Sequence, residues 1–121
     1  MTEKEFLDFL EMKLKIGRVP QLSGYIDSSD PAIQNAGKYM GGHSVLFEGH
    51  QMLPARVVVG MGRLLLNRDV KLQTKEAVLV ILAHHPSREA LNALSLYNVI
   101  PDEDLRYFAR IALDECEMWN E

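Results

Sequence analysis

Residues 74–119 read TKEAVLVILAHHPSREALNALSLYNVIPDEDLRYFARIALDECEMW, and the spacing within this stretch decides the fold class. Apolar residues recur at three- and four-residue intervals in three blocks, Ala77 to Leu82, Ala90 to Tyr97 and Leu105 to Cys116. That interval is the period of one helix face. Thr74 reads as the cap of the first helix, which stops before Pro86. Ser87 starts the second, and Pro101 with Asp102 marks the start of the third. Breaks of about two or three residues set neighbouring helices antiparallel and side by side. The expectation is an all-α chain in which helix hairpins stack as a short α-solenoid. A non-repetitive helical bundle is the alternative, and one domain spans residues 1–121.

The pattern continues toward the N-terminus. Thr2 and Glu5 form a capping box ahead of Phe6, Leu7, Leu10 and Leu14, predicting a helix from Glu3 to about Ile16, with Gly17 as its stop. Arg18 to Asp27 is punctuated by Pro20 and Gly24, although Val19, Leu22 and Ile26 fit a short helix. Ser28-Ser29-Asp30-Pro31 is a helix start, with serine or aspartate as the cap and proline in the first turn. The helix carries Ile33, Ala36, Gly37 and Met40, and Gly41-Gly42 ends or kinks it. Val45, Leu46, Phe47 and Met52 suggest that helix resumes toward Leu53. Pro54 opens a segment to about Asn67 that is apolar nearly all round, predicting a buried helix. Gly60 and Gly62 weaken that helix intrinsically, so close contact with another helix is the expected compensation. No stretch pairs two-residue alternation with a hairpin turn.

Two segments resemble each other. Asp30 precedes Ile33 by three residues, as Asp102 precedes Leu105. A long polar residue follows each anchor (Gln34, Arg106), and a small residue comes four positions after it (Gly37, Ala109). Asp102, Leu105, Arg106, Ala109, Ala112 and Leu113 resemble the second helix of the HEAT-repeat α-solenoids. Asp30, Ile33, Gln34, Ala36, Gly37 and Met40 follow the same pattern more loosely, and Thr74 to Tyr97 shares only the helix-turn-helix shape. The resemblance implies a binding scaffold.

Composition narrows the classes. At 47% hydrophobic and 25% charged residues, the chain has the apolar content of a folded globular protein. A net charge of -4 repels phosphate backbones, so nucleic acid is not an expected partner, and Arg56, Arg63 and Arg68 read as ordinary surface arginines. Cys116 is the single cysteine, which rules out an intrachain disulfide and suits a reducing, cytoplasmic setting. No apolar run approaches ~18 residues, so no membrane span is expected.

The search for chemistry starts with the four histidines. His43, Glu48 and His50 lie close together in sequence and are the candidate metal ligands. Seven residues separate the two histidines, about two helical turns, too far for one ion unless the helix breaks. His84 and His85 are adjacent and point apart, and read as polar surface or helix-end histidines. Cys116 shares a phase with Ala109, Ala112 and Leu113 and sits among acidic residues, so it reads as core rather than nucleophile. Asp114, Glu115 and Glu117 place negative charge at a helix C-terminus, where it is unfavourable. A fraying, solvated end explains this, and so does a partner bringing positive charge. No catalytic motif is present and no cofactor is implied.

The leading expectation is a small protein-interaction module that docks a protein partner through Gln34, Lys38, Arg88, Asn92 and Arg106, the polar positions of the capped helices. A small metal-dependent or regulatory enzyme using His43, Glu48 and His50 is one alternative. An inhibitor or immunity-type protein, suggested by small size and acidic charge, is another. The apolar segment Val57 to Leu66 leaves a homo-oligomer open.

Overall fold

The computed structural model describes residues 1–14 and 29–121. The segment Arg18 to Asp27 and the helix end expected at Ile16 and Gly17 lie outside the described residues. Among the described residues six α-helices follow one another: α1 (Glu3–Leu14), α2 (Pro31–Gly41), α3 (Ala55–Leu65), α4 (Leu72–Ala83), α5 (Arg88–Tyr97) and α6 (Arg106–Trp119). There is no strand among the described residues, and the chain is all-α.

Local start signals work as the sequence predicts. Thr2 Oγ1 accepts the Glu5 amide at 3.1 Å and Glu5 Oε1 accepts the Thr2 amide at 3.1 Å, a complete capping box. Asp30 accepts the Ala32 amide at 2.9 Å with Pro31 in the first turn, and Ser87 accepts the Ala90 amide at 3.1 Å.

Two expected caps are different. Thr74 lies inside α4, which begins at Leu72. The helix start is served instead by Glu3 of α1, whose Oε2 accepts the Lys71 amide at 3.1 Å and the Thr74 hydroxyl at 2.6 Å. Asp102 does not cap α6 either. A short 3-10 turn (Glu103–Leu105) intervenes, and the Phe108 amide in the first turn of α6 donates to Asn35 Oδ1 of α2 at 2.9 Å. In both cases a distant residue satisfies amides that the helix leaves unpaired.

The joints at 84–87 and 98–105 are longer than expected. Beyond α2 the chain forms two 3-10 turns, Gly42–Val45 and His50–Met52, rather than a resumed helix. Gly49 links them at φ +84°, a left-handed conformation that glycine adopts without Cβ strain.

α4 is the helix with no exposed face. Every residue from Thr74 to Ala83 is buried, and α4 packs against α3, α5, α6 and the Gly42–Val45 turn. α3, expected to be apolar all round, buries Val58, Met61, Leu64 and Leu65 but leaves Val59 and Leu66 partly in solvent. The reason lies in the polar residues. Arg56 and Arg63 hold one side of α3 outward, whereas nothing polar interrupts Ala77 to Ala83. Gly62 supplies the predicted close contact, since a Cβ there would lie 2.7 Å from Ala93 Cβ of α5. α2 packs on α6, and α5 lies against α3, α4 and α6.

Burying α4 also buries the polar residues at its two ends, and most of them find a hydrogen-bond partner. Lys75 donates to Asp102 at 2.7 Å, and Asp102 also accepts the Tyr97 hydroxyl at 2.6 Å. His85 Nδ1 lies 2.8 Å from Ser87 Oγ and its Nε2 3.2 Å from the Leu53 carbonyl. Burial pulls the His85 ring below its ordinary pKa. His84 and His85 are therefore interior residues, not surface ones, because the helix that carries them runs through the core.

Candidate functional sites

The first site is a cleft of about 420 Å³ where α2, the start of α4 and the start of α6 meet. Gln34 and Lys38 line it from α2, Glu76 from α4, Glu103 and Asp104 from the last joint, and Arg106 from the start of α6. Gln34 and Lys38 lie four apart on one face of α2, and the Asn35–Phe108 bond docks the start of α6 beside them. Three of the five docking residues named from sequence thus share one cleft. The other two are also on the surface but apart from it. Asn92 lines a smaller apolar groove of about 250 Å³ between α3 and α5, with Val59, Leu66 and Leu96, and Arg88 opens α5.

Glu76 is the unusual member of the cleft. Its side chain is only 8% exposed, and its nearest cation, Lys38 Nζ, lies 4.0 Å away. Burial raises its carboxyl above the ordinary range, and Lys38 offsets this only in part. A carboxyl kept in such surroundings beside a cleft has the character of a functional group. It sits at the polar head of the apolar run of α4, a position readable in the sequence only once α4 is known to be buried.

The second site joins three segments distant in sequence. His84 caps the C-terminus of α4, His43 lies in the turn after α2, and Glu115 projects from the last part of α6. Their ligand atoms all lie within 4.8 Å of one another. His84 Nε2 is 3.1 Å and His43 Nε2 4.0 Å from Glu115 Oε1. The Tyr39 hydroxyl donates to the same oxygen, and burial together with that bond raises the phenol's pKa. Both imidazoles are fixed from behind. His84 Nδ1 lies 2.8 Å from the Val80 carbonyl and His43 Nδ1 3.0 Å from the Met40 carbonyl.

This arrangement corrects the ligand set read from sequence. His43 joins the cluster, but Glu48 is exposed and outside it, and the His50 ring is centred 6.4 Å from that of His84. The turns at 42–45 and 50–52 aim His43 at the end of α4 rather than at its sequence neighbours. Glu115 is half-buried and accepts the Tyr39 hydroxyl, so it is not part of a solvated, fraying end. The signal that could have found it was the unfavourable negative charge near the C-terminus of α6.

Cys116 lies beside this cluster as core. It is fully buried, and burial pushes its thiol up to about 11, far from a reactive thiolate at neutral pH.

The described structure thus defines an all-helical protein with a charged cleft at one end of a buried helix and a histidine–carboxylate cluster at the other. No protein family, curated protein or solved structure matches this chain. Among the described residues no helix is long and apolar enough to cross a membrane.

Proposed function

We propose that this protein is a small protein-interaction module without catalytic activity of its own, and that it takes its partner in the cleft between α2 and the start of α6. The observation that carries this reading is Glu76, a nearly buried carboxylate facing a cleft with only a distant lysine to balance it. Such a group is costly to the free protein and becomes favourable when a partner supplies a cation and hydrogen bonds. Glu103 and Asp104 add negative charge at the rim, against Lys38 and Arg106. The partner is therefore a polar protein segment that presents a basic side chain to Glu76, flanked by groups that pair with Gln34, Lys38 and Arg106.

The finer architecture belongs to the same proposal. In a strictly sequential HEAT-like stack each unit touches only its neighbours. Here α2 packs on α6, which favours the bundle alternative, while the succession α4, α5 and α6 keeps the hairpin character of the resemblance. A reducing, cytoplasmic setting suits the single buried cysteine.

Affinity capture from the protein's own cells, quantified for wild type and two surface variants, tests the cleft. The double variant Glu103→Arg/Asp104→Arg changes exposed residues at its rim and leaves the fold intact. It is expected to lower recovery of the specific partner at least tenfold, with capture by wild type weakening as salt rises. Asn92→Arg, in the α3–α5 groove, is expected to capture normally. A partner lost with Asn92→Arg and kept by the rim variant would move the interface to the other groove.

A further inference from the structure

We propose that His43, His84 and Glu115 form a binding site for one divalent transition-metal ion of the zinc type, with a coordination position open to solvent.

Three independent observations lead to it. The first is the donor set. Two imidazoles and one carboxylate are the ligands such ions prefer, and sites with three protein ligands leave a fourth position for water or another group. The second is the orientation of the rings. Each histidine has Nδ1 against a backbone carbonyl, Val80 for His84 and Met40 for His43, so Nδ1 carries the proton and the Nε2 lone pair faces Glu115. This backing is what metal-ligating histidines characteristically have, and the Tyr39 hydroxyl backs the carboxylate in the same way. His84 Nε2 and a Glu115 carboxylate oxygen face each other at 3.1 Å. A positive species must lie between them, either a second ring proton or a cation.

The third observation decides in favour of a cation. The site gathers three helix C-terminal regions. His84 caps α4, His43 follows the end of α2, and Glu115 lies in the last part of α6. Each brings the negative end of its helix dipole, and Glu117 adds a full charge near the end of α6, where Asp114 is already paired with Arg110 at 3.2 Å. A divalent ion answers this field better than one proton does.

The geometry requires little adjustment. Metal bonds of about 2.1 Å in a tetrahedron hold ligand atoms about 3.4 Å apart. His84 and Glu115 are already closer than that, and His43, 4.0 Å from Glu115 on an exposed turn, has only a short distance to close. His84 is buried at 6% side-chain exposure and His43 is open at 44%, so the fourth position faces solvent on the His43 side. A bound ion would tie the ends of α2 and α4 to α6. This site is separate from the cleft at the other end of α4, and its test does not involve a protein partner.

The experiment is calorimetric titration of the metal-stripped protein with zinc chloride, alongside thermal melts with and without zinc. Wild type is expected to bind one zinc per chain and to melt several degrees higher with zinc in excess. Two variants avoid disturbing the core: His43→Ala on the exposed turn, and the isosteric Glu115→Gln. Each is expected to keep the metal-free melting temperature within a few degrees and to weaken zinc binding at least about tenfold. Tyr39→Phe, which removes only the hydroxyl behind Glu115, is expected to weaken binding by about 10- to 100-fold. His50→Ala is expected to bind as wild type. Absence of stoichiometric zinc in wild type would overturn the proposal and leave a proton shared between His84 and Glu115. Undiminished affinity in both His43→Ala and Glu115→Gln would overturn it equally.

Discussion

Replacing Asp102 with alanine will destabilise the protein by about 3–5 kcal/mol, the usual cost of removing one partner from a buried ion pair. Lys75 has a side-chain exposure of 1%, and its ammonium donates to Asp102 at 2.7 Å. Without the carboxylate, that charge stays in the interior with its main counter-charge gone, and the Tyr97 hydroxyl loses its acceptor as well. A domain of this size has roughly 5–15 kcal/mol in total, so the loss will show as a large fall in denaturation midpoint. The double variant Lys75→Met/Asp102→Leu is expected to recover most of it, because an apolar pair of similar volume often replaces a buried ion pair without loss. An Asp102→Ala variant within about 1 kcal/mol of wild type would mean that Lys75 reaches water.

The same pair sets a pH dependence. Burial pulls the Asp102 carboxyl up, but the hydrogen bonds from Lys75 and Tyr97 and the charges of Lys75 and Arg68 outweigh it and hold the group below the ordinary range. A carboxyl depressed in the folded state contributes stability above its unfolded pKa, about 3.9, and loses it as pH falls through the folded value. Wild type will therefore lose stability in acid below about pH 4 more steeply than Asp102→Asn, which has no such group to protonate.

The second large effect concerns α4. Leu79, Ile81 and Leu82, replaced singly with alanine, will each cost about 2–5 kcal/mol. Successive helical residues turn by about 100°, so positions 79 to 82 look in four directions. All four are fully buried. A scan of α4 will show no 3.6-residue period in its costs. The same scan along α6 will show one, with Phe108, Leu113 and Cys116 inside and Arg110, Asp114 and Glu117 outside. Two adjacent α4 positions tolerating alanine within about 0.5 kcal/mol would place one side of that helix at the surface.

What the sequence made legible was local. The Thr2–Glu5 capping box, the caps at Asp30 and Ser87, and the opening of α3 after Pro54 all depend on residues within a turn of each other. Periodicity carried the remaining helices. The features that escaped it depend on which segments meet in space. Glu3 serves the start of α4 from 68 residues away, and Asn35 serves α6 from 73. Neither leaves a pattern in its own neighbourhood.

The sites divide along the same line. Gln34 and Lys38 lie four apart on α2, so their shared face was readable, but Glu76 and Arg106 reach that face only through packing. Sequence groups His43 with Glu48 and His50, the nearest ligand-type residues along the chain. The spatial neighbours of His43 are His84 and Glu115, delivered by the ends of two other helices. Burial follows the same logic. The apolar stretch of α3 is the longer one, yet the arginines within it keep one side at the surface. The shorter, uninterrupted stretch of α4 takes the centre, and its polar ends become the two candidate sites.

Amide hydrogen exchange of the metal-free protein tests the central place of α4 most directly. The amides from Val78 to Leu82 are expected to be the slowest in the chain and to exchange only through global unfolding, with an opening free energy equal to that from denaturant titration. Exchange of those amides through a lower-energy local opening, while α2 or α5 stays protected, would contradict the architecture and both sites built on it.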